Sequence, residues 1–116
     1  MNRPPITTHV LDTSSGKPAA GVSVRLYIQE ATDRWSILAT GITNDDGRIG
    51  NLLPADHPLK PGVYRMRFMT GDYFEHHQVS GFYPYADIVF TVREAGEHFH
   101  IPLLLSPYGY STYRGS

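Results

Sequence analysis

The sequence predicts an all-β protein folded as a β-sandwich. Apolar and polar residues alternate with period two through most of the 116-residue chain, as they do in strands with one buried face. The nine Pro and eleven Gly stand mainly between the alternating runs, where an all-β chain needs its turns. About seven or eight short strands at this spacing are typical of two packed sheets.

The first half of the chain carries three predicted strands and one strong turn. The opening strand covers residues 6–11, and the clearest alternation follows over residues 22–29. Residues 35–43 are rich in strand-forming residues but less regularly patterned. Residues 44–47 read Asn-Asp-Asp-Gly, which favours a tight turn.

The second half contains the remaining strands and the one predicted helix. Residues 71–78 are predicted to be helical, with Asp72 as the capping residue and Glu75 as its capping-box partner. Strands are predicted on both sides of this helix, over residues 64–68, 88–92, 99–105 and 110–114.

Composition narrows the classes of function. Ten basic and eleven acidic residues give a formal charge of −1, which argues against a nucleic-acid partner. The chain has no Cys, and so no disulfide framework or thiolate chemistry. No apolar leader or stretch of transmembrane length is present, so we expect no membrane partner. These features predict a soluble, cytoplasmic protein with one domain over residues 1–116.

Two histidines share an unusual position in the predicted strands. His9 and His100 each lie in a strand whose apolar residues occupy the other parity, so both imidazoles should point away from the core. An outward His is usually only solvated. Here Pro102 and Leu104 lie near His100, and Tyr108, Tyr110 and Tyr113 follow. These apolar and aromatic residues around His100 predict that the outer face is buried in a subunit contact.

Arg48 directly follows the predicted turn and has two interpretations. It is either a solvated residue or a fixed guanidinium that polarises a carbonyl and holds a planar ligand. Asp45 and Asp46 fit a role in the turn better than one as paired acid and base.

His98 and His100 have a spacing that can bind zinc, but no spacing pattern supplies further ligands, so we expect no metal site.

The carboxyl-terminal segment, residues 100–116, reads HIPLLLSPYGYSTYRGS. Chain ends are usually polar and poorly ordered, whereas this one stays apolar and aromatic almost to its last residue. A phenol, a guanidinium, a hydroxyl and a carboxylate in residues 113–116 could form a polar site for a planar ligand. The alternative is an ordinary last strand that frays.

Three segments resemble the 5-hydroxyisourate hydrolases, the enzyme branch of the transthyretin-like family. They are THVLDTSSGKPAAG at residues 8–21, TNDDGR at 43–48 and LLLSPYGYSTYRGS at 103–116, in the family's order. The resemblance implies a transthyretin-like (prealbumin-like) β-sandwich of two four-stranded antiparallel sheets with one short helix. It also implies a homotetramer whose sites lie at the dimer–dimer interface.

The resemblance also implies which residues of this chain form the site. It implies that the catalytic residues are His9, Arg48, His100 and Ser116, and that the substrate-binding residues are Tyr113, Arg114 and Gly115. The implied reaction is hydrolysis of 5-hydroxyisourate to 2-oxo-4-hydroxy-4-carboxy-5-ureidoimidazoline in urate degradation, without metal or organic cofactor. His9 and His100 would activate water, and the choice of general base stays open at this point.

Other functions also fit parts of this sequence. The main alternative is a transthyretin-type carrier that binds a small ligand without catalysis. Such carriers lack the paired site histidines and the Tyr-Arg-Gly-Ser end that this chain has at residues 113–116. A structural β-sandwich module and a metal-dependent hydrolase that uses the His cluster are the remaining alternatives.

Overall fold

Alternating apolar residues place most of the chain in two facing β-sheets. The computed structural model describes residues 4–115. The strands are β1 (Ile6–Asp12), β2 (Lys17–Pro18), β3 (Ser23–Ala31), β4 (Arg34–Ile42), β5 (Arg48–Ile49), β6 (Gly62–Phe68), β7 (Ala86–Val92), β8 (Phe99–Ser106) and β9 (Gly109–Thr112). The helix α1 (Thr70–His76) lies between β6 and β7.

The strand order confirms the predicted two-sheet fold and adds one feature. The first sheet has the order β2-β1-β8-β9, and β5 also pairs with β1. The second sheet has the order β4-β3-β6-β7, and all of its pairs are antiparallel. Within the first sheet β1 and β8 run parallel, which the predicted antiparallel pattern did not include. The two-residue strands β2 and β5 bring this sheet to five strands.

The core lies between the sheets and follows the predicted parities. Every second residue of β1 is buried, and β6 and β8 contribute their apolar residues in the same way. Ile6, Val24, Met66 and Leu103 are fully buried. Burial at about 25 cal/mol per Å² of apolar surface stabilises this arrangement and fixes the register, because a one-residue slip would turn each apolar face outward.

The helix begins one residue earlier than predicted, at Thr70, and its predicted cap is wrong. Met69 occupies the N-cap position and, among the described residues, no side chain caps it. Asp72 lies inside the first turn and so cannot act as the cap. The helix instead buries Tyr73 and Phe74, because a helix this short needs tertiary packing. In the described part of the chain, no helix is long and apolar enough to cross a membrane.

Candidate active site

Strand pairing brings three of the predicted site residues together. His9 on β1 is the register partner of Arg48 on β5. On the other edge of β1, Thr7 is the register partner of His100 on β8. Thr7 and His9 are two residues apart in one strand and therefore face the same way. The outer face of the first sheet thus carries His9, Arg48 and His100 on three adjacent strands.

The turn before β5 fixes the position of the Arg48 backbone. The Asn44 side-chain oxygen accepts hydrogen bonds from the backbone N–H groups of Asp46 (2.9 Å) and Arg48 (3.0 Å). Gly47 has φ +73°, and a side chain there would overlap the Val10 carbonyl oxygen. Only glycine fits both the conformation and the close approach. The Val10 N–H donates to the Gly47 carbonyl at 2.7 Å, which ties the turn to β1.

His100 is held on two sides by its neighbours. Its Nδ1 lies 2.8 Å from the hydroxyl of Thr7. On the side of the carboxyl-terminal tail (residues 113–116), the Gly115 N–H donates to the His100 carbonyl at 2.9 Å. A Cβ atom at position 115 would lie only 2.5 Å from the imidazole Cδ2. Gly115 therefore packs its backbone against the ring, and within residues 4–115 the ring's Nε2 has no hydrogen-bond partner.

His100 lines two cavities. One, of about 260 Å³, is the cleft between β1, β5 and β8, and its lining comprises Thr7, Thr8, Arg48, Ile49, Gly50, His98 and His100. The other, of about 220 Å³, is largely apolar and is lined by residues of β7, β8 and the tail, including Phe99, Tyr113 and Arg114. The imidazole is therefore the side chain common to the cleft and to the tail cavity.

The surroundings of His100 favour its neutral form. Burial lowers its pKa, and the nearby positive or titratable groups Arg48, His9 and His98 lower it further. A hydrogen bond between the imidazole and the backbone of Thr7 raises the pKa without cancelling these effects. A neutral imidazole near physiological pH can accept a proton, as a general base must.

Only part of the tail lies beside the His100 imidazole. Tyr113 is 60% exposed, and the Arg114 guanidinium lies 4.8 Å from the centre of the Phe99 ring. Arg114 also lies 3.5 Å from Glu97. Ser116 lies outside the described residues. Of the predicted set, the structure brings His9, Arg48, His100 and Gly115 together and places Tyr113 and Arg114 at the second cavity.

The model of the HIUase/Transthyretin family matches residues 6–115. The chain belongs to this family.

Individual relatives in the HIUase/Transthyretin family include both 5-hydroxyisourate hydrolases and transthyretins. The chain is 49% identical to the mouse (Mus musculus) 5-hydroxyisourate hydrolase over 113 residues, covering 97% of this chain and 95% of the relative. Among solved structures, the Klebsiella pneumoniae 5-hydroxyisourate hydrolase matches with a TM-score of 0.83 and 39% identity, covering 96% of this chain and 98% of that one. Sea bream transthyretin in complex with thyroxine matches with a TM-score of 0.89 and 33% identity, covering 96% and 94%. The predicted family and fold class are thus confirmed.

Three residues at this site of the HIUase/Transthyretin fold have roles that differ from those predicted from the sequence. Thr7 shares the outward parity of His9, a signal that could have drawn attention to its hydroxyl. Asn44 was included only as part of a turn. His98 was considered only as a metal ligand, whereas its Nδ1 lies 2.6 Å from the Pro4 carbonyl oxygen. Within residues 4–115, no group of three or more His, Cys, Asp or Glu side chains is arranged to hold a metal ion.

Proposed function

We propose that this chain hydrolyses 5-hydroxyisourate to 2-oxo-4-hydroxy-4-carboxy-5-ureidoimidazoline, with its active site at the cleft between β1, β5 and β8. The observation that carries the proposal is that the His100 imidazole, held by Thr7, lines one cleft with Arg48, while burial and neighbouring groups lower its pKa. Family membership and the hydrolases among the relatives support a hydrolase. The product and the residue roles are our proposal.

The first step is attack of water on a ring carbonyl of the substrate. Nε2 of His100 takes a proton from water while the water oxygen bonds to the carbonyl carbon. The carbonyl electron pair moves to its oxygen, and the Arg48 guanidinium stabilises the negative charge that develops there. Arg48 suits this role because its backbone is fixed by the turn while its side chain stays exposed to the cleft.

The second step opens the ring. The electron pair on the oxygen re-forms the carbonyl, the C–N bond breaks, and the leaving nitrogen takes a proton. His100, now an imidazolium, can return its proton to that nitrogen, and His9 orients the water or the substrate beside it. His9 is placed for this because it pairs in register with Arg48. The balance needs only water and substrate, so we propose a reaction without a cofactor.

The tail completes the substrate contacts in this proposal. Gly115 holds His100, and Tyr113, Arg114 and Ser116 bind the edges of the substrate. In one chain Tyr113 is 60% exposed and Arg114 pairs with Glu97. We therefore propose that these side chains take their substrate-binding positions in a homotetramer, with sites at the dimer–dimer interface.

The alternative function is a transthyretin-type carrier. The structural match to sea bream transthyretin is as good as the match to the hydrolase, so the fold does not separate the two functions. The chemistry of the proposed site favours the hydrolase. A fixed base beside a guanidinium serves proton transfer and charge stabilisation, which a carrier does not need.

The test is the decay of 5-hydroxyisourate generated in situ from urate with a urate oxidase and followed by ultraviolet absorbance. We expect the wild-type protein to accelerate the decay, and Arg48→Ala to lower kcat/KM by about 10²–10³-fold. Arg34→Ala, at an exposed arginine on β4, is the matched control and should retain full activity. A folded wild-type protein that leaves the decay unchanged but binds thyroxine would instead establish the carrier function.

A further inference from the structure

The hydroxyl of Thr7 lies between two imidazoles. Its Oγ1 is 2.8 Å from Nδ1 of His100 and 3.4 Å from Nε2 of His98. The other ring nitrogen of His98, Nδ1, is 2.6 Å from the carbonyl oxygen of Pro4. The four groups therefore form a chain that runs from the Pro4 carbonyl through His98 and Thr7 to His100.

The Pro4 carbonyl sets the direction of every hydrogen bond in this chain. A carbonyl oxygen only accepts, so His98 must carry its proton on Nδ1. The Nε2 atom of neutral His98 is then an acceptor, and the Thr7 hydroxyl donates to it. With its one proton used in this way, the Thr7 oxygen accepts a hydrogen bond from Nδ1–H of His100. Neutral His100 is left with its lone pair on Nε2.

We propose that Thr7, oriented by His98 and the Pro4 carbonyl, is a positioning residue that keeps the proton of neutral His100 on Nδ1. This deepens the proposed function, on which its catalytic meaning rests. Nε2 becomes the basic atom of the site, and His100 rather than His9 is the general base. Without this direction, the imidazole could carry its proton on Nε2 and could not accept one from water there.

The backbone around Thr7 makes the chain rigid enough to set a tautomer. Thr7 and His100 are register partners in the parallel pair β1–β8. The next residue, Thr8, is buried and donates from its hydroxyl to the Ile101 carbonyl at 2.6 Å. On the other side of Thr7, the Phe99 N–H donates to the carbonyl of Pro5 at 2.8 Å. Hydrogen bonds on both sides of Thr7 therefore fix its distance from β8.

The direct test is the position of the proton on His100, read from long-range ¹H–¹⁵N correlation spectra of the ¹⁵N-labelled protein. The chemical shifts of the two ring nitrogens distinguish a protonated from an unprotonated nitrogen. We expect wild-type His100 to be protonated at Nδ1 in its neutral form. Thr7→Val removes the hydroxyl at nearly constant volume and should give a mixture of tautomers. Thr7→Ser restores the hydroxyl and should restore the Nδ1–H form.

The kinetic readout should follow the spectra. Thr7→Val should lower kcat by about 10- to 100-fold, because the base is then only partly in the competent form and less well oriented. Thr7→Ser should recover most of this loss, and Thr40→Val, on exposed β4, should lose nothing. His98→Asn, which leaves the hydroxyl without its acceptor, should loosen the tautomer in the same way and serves if Thr7→Val does not fold.

The outcomes separate this proposal from the proposed function. Wild-type His100 protonated at Nε2, or an unchanged tautomer in both Thr7→Val and His98→Asn, would overturn the role of Thr7 even in an active hydrolase. Conversely, the spectra test the tautomer even if the protein does not hydrolyse 5-hydroxyisourate, which would overturn only the catalytic part.

Discussion

His100 connects the sequence motifs of this chain to a chemical function. Its strand parity turns it away from the core, Thr7 holds its Nδ1, and the backbone of Gly115 packs on its ring. Burial and the neighbouring Arg48, His9 and His98 lower its pKa, so that it stays a base. At the residue scale, the site therefore depends on the position of one imidazole.

Gly115 should be intolerant of even one added carbon. In Gly115→Ala the new methyl group would lie 2.5 Å from the His100 Cδ2, so the ring or the tail must move. A displacement of about 1 Å in a reacting group costs on the order of 10²-fold in rate, and we expect kcat/KM to fall by roughly that factor with little change in Tm. Gly109→Ala is the control, since a Cβ there meets nothing closer than 3.8 Å. Equal activity of the two variants would show that the tail does not position His100.

The positive charge of Arg48 should extend activity to lower pH. Because the pKa of His100 is lowered, its basic form persists as pH falls, and the acid limb of kcat/KM should lie below the ordinary imidazole pKa of about 6.5. Arg48→Gln removes one of the causes, so the His100 pKa should rise and the acid limb should move to higher pH. Burial, the largest cause, remains, and the shift is therefore partial. The chemical shift of the His100 Cε1 proton, followed by NMR as a function of pH, gives the His100 pKa in the wild type and in Arg48→Gln. Arg34→Gln is the control.

At the scale of strands and turns, the site depends on how β1 is paired. It has β5 on one edge and β8 on the other, so groups from both ends of the sequence meet on its outer face. Parities and turns could be read from the chain because they are local patterns of two to four residues. The parallel pairing of β1 with β8 could not, because it joins residues about ninety positions apart and leaves no local signal. The parity of Thr7 is a local signal, but its position beside His100 follows only from this long-range pairing.

The turn that carries Arg48 should depend on Asn44. Asn44→Ala removes the acceptor of two backbone N–H groups, which costs about 1 kcal/mol and lowers Tm by about 4 °C. Loss of kcat/KM should exceed what this small destabilisation explains, because the backbone of Arg48 is no longer held. Asn44→Asp keeps the acceptor oxygen and should retain both properties. Thermal unfolding and the ultraviolet assay on the same samples test this, and an active Asn44→Ala protein would contradict it.

At the scale of the whole molecule, one chain presents several large apolar side chains on its surface. Tyr108 and Tyr113 are 70% and 60% exposed. Tyr110 differs from its predicted place on the outer face. It is the register partner of Leu105, whose side chain is buried, and register partners share a face. Leu104, on the opposite parity, is half-buried and faces outward as predicted.

The proposed tetramer should therefore depend on the outer face of the first sheet. Leu104→Glu places a charge there, and we expect sedimentation velocity to show a shift from tetramer to smaller species with native circular dichroism. Val89→Glu is the control, because Val89 pairs with Arg65 on the outer face of the second sheet and is 55% exposed. A wild-type protein that sediments as a monomer, or a Leu104→Glu protein that stays tetrameric, would contradict this assembly.

The central claim, that the cleft at His100 is the active site of a hydrolase, has one most direct test. It is kcat/KM for 5-hydroxyisourate decay in His100→Gln, compared with His76→Gln on the exposed face of α1. We expect His100→Gln to lose about 10²–10⁴-fold, the range for removal of a general base, and His76→Gln to equal the wild type. Full activity of a folded His100→Gln protein would contradict the claim and place the chemistry elsewhere.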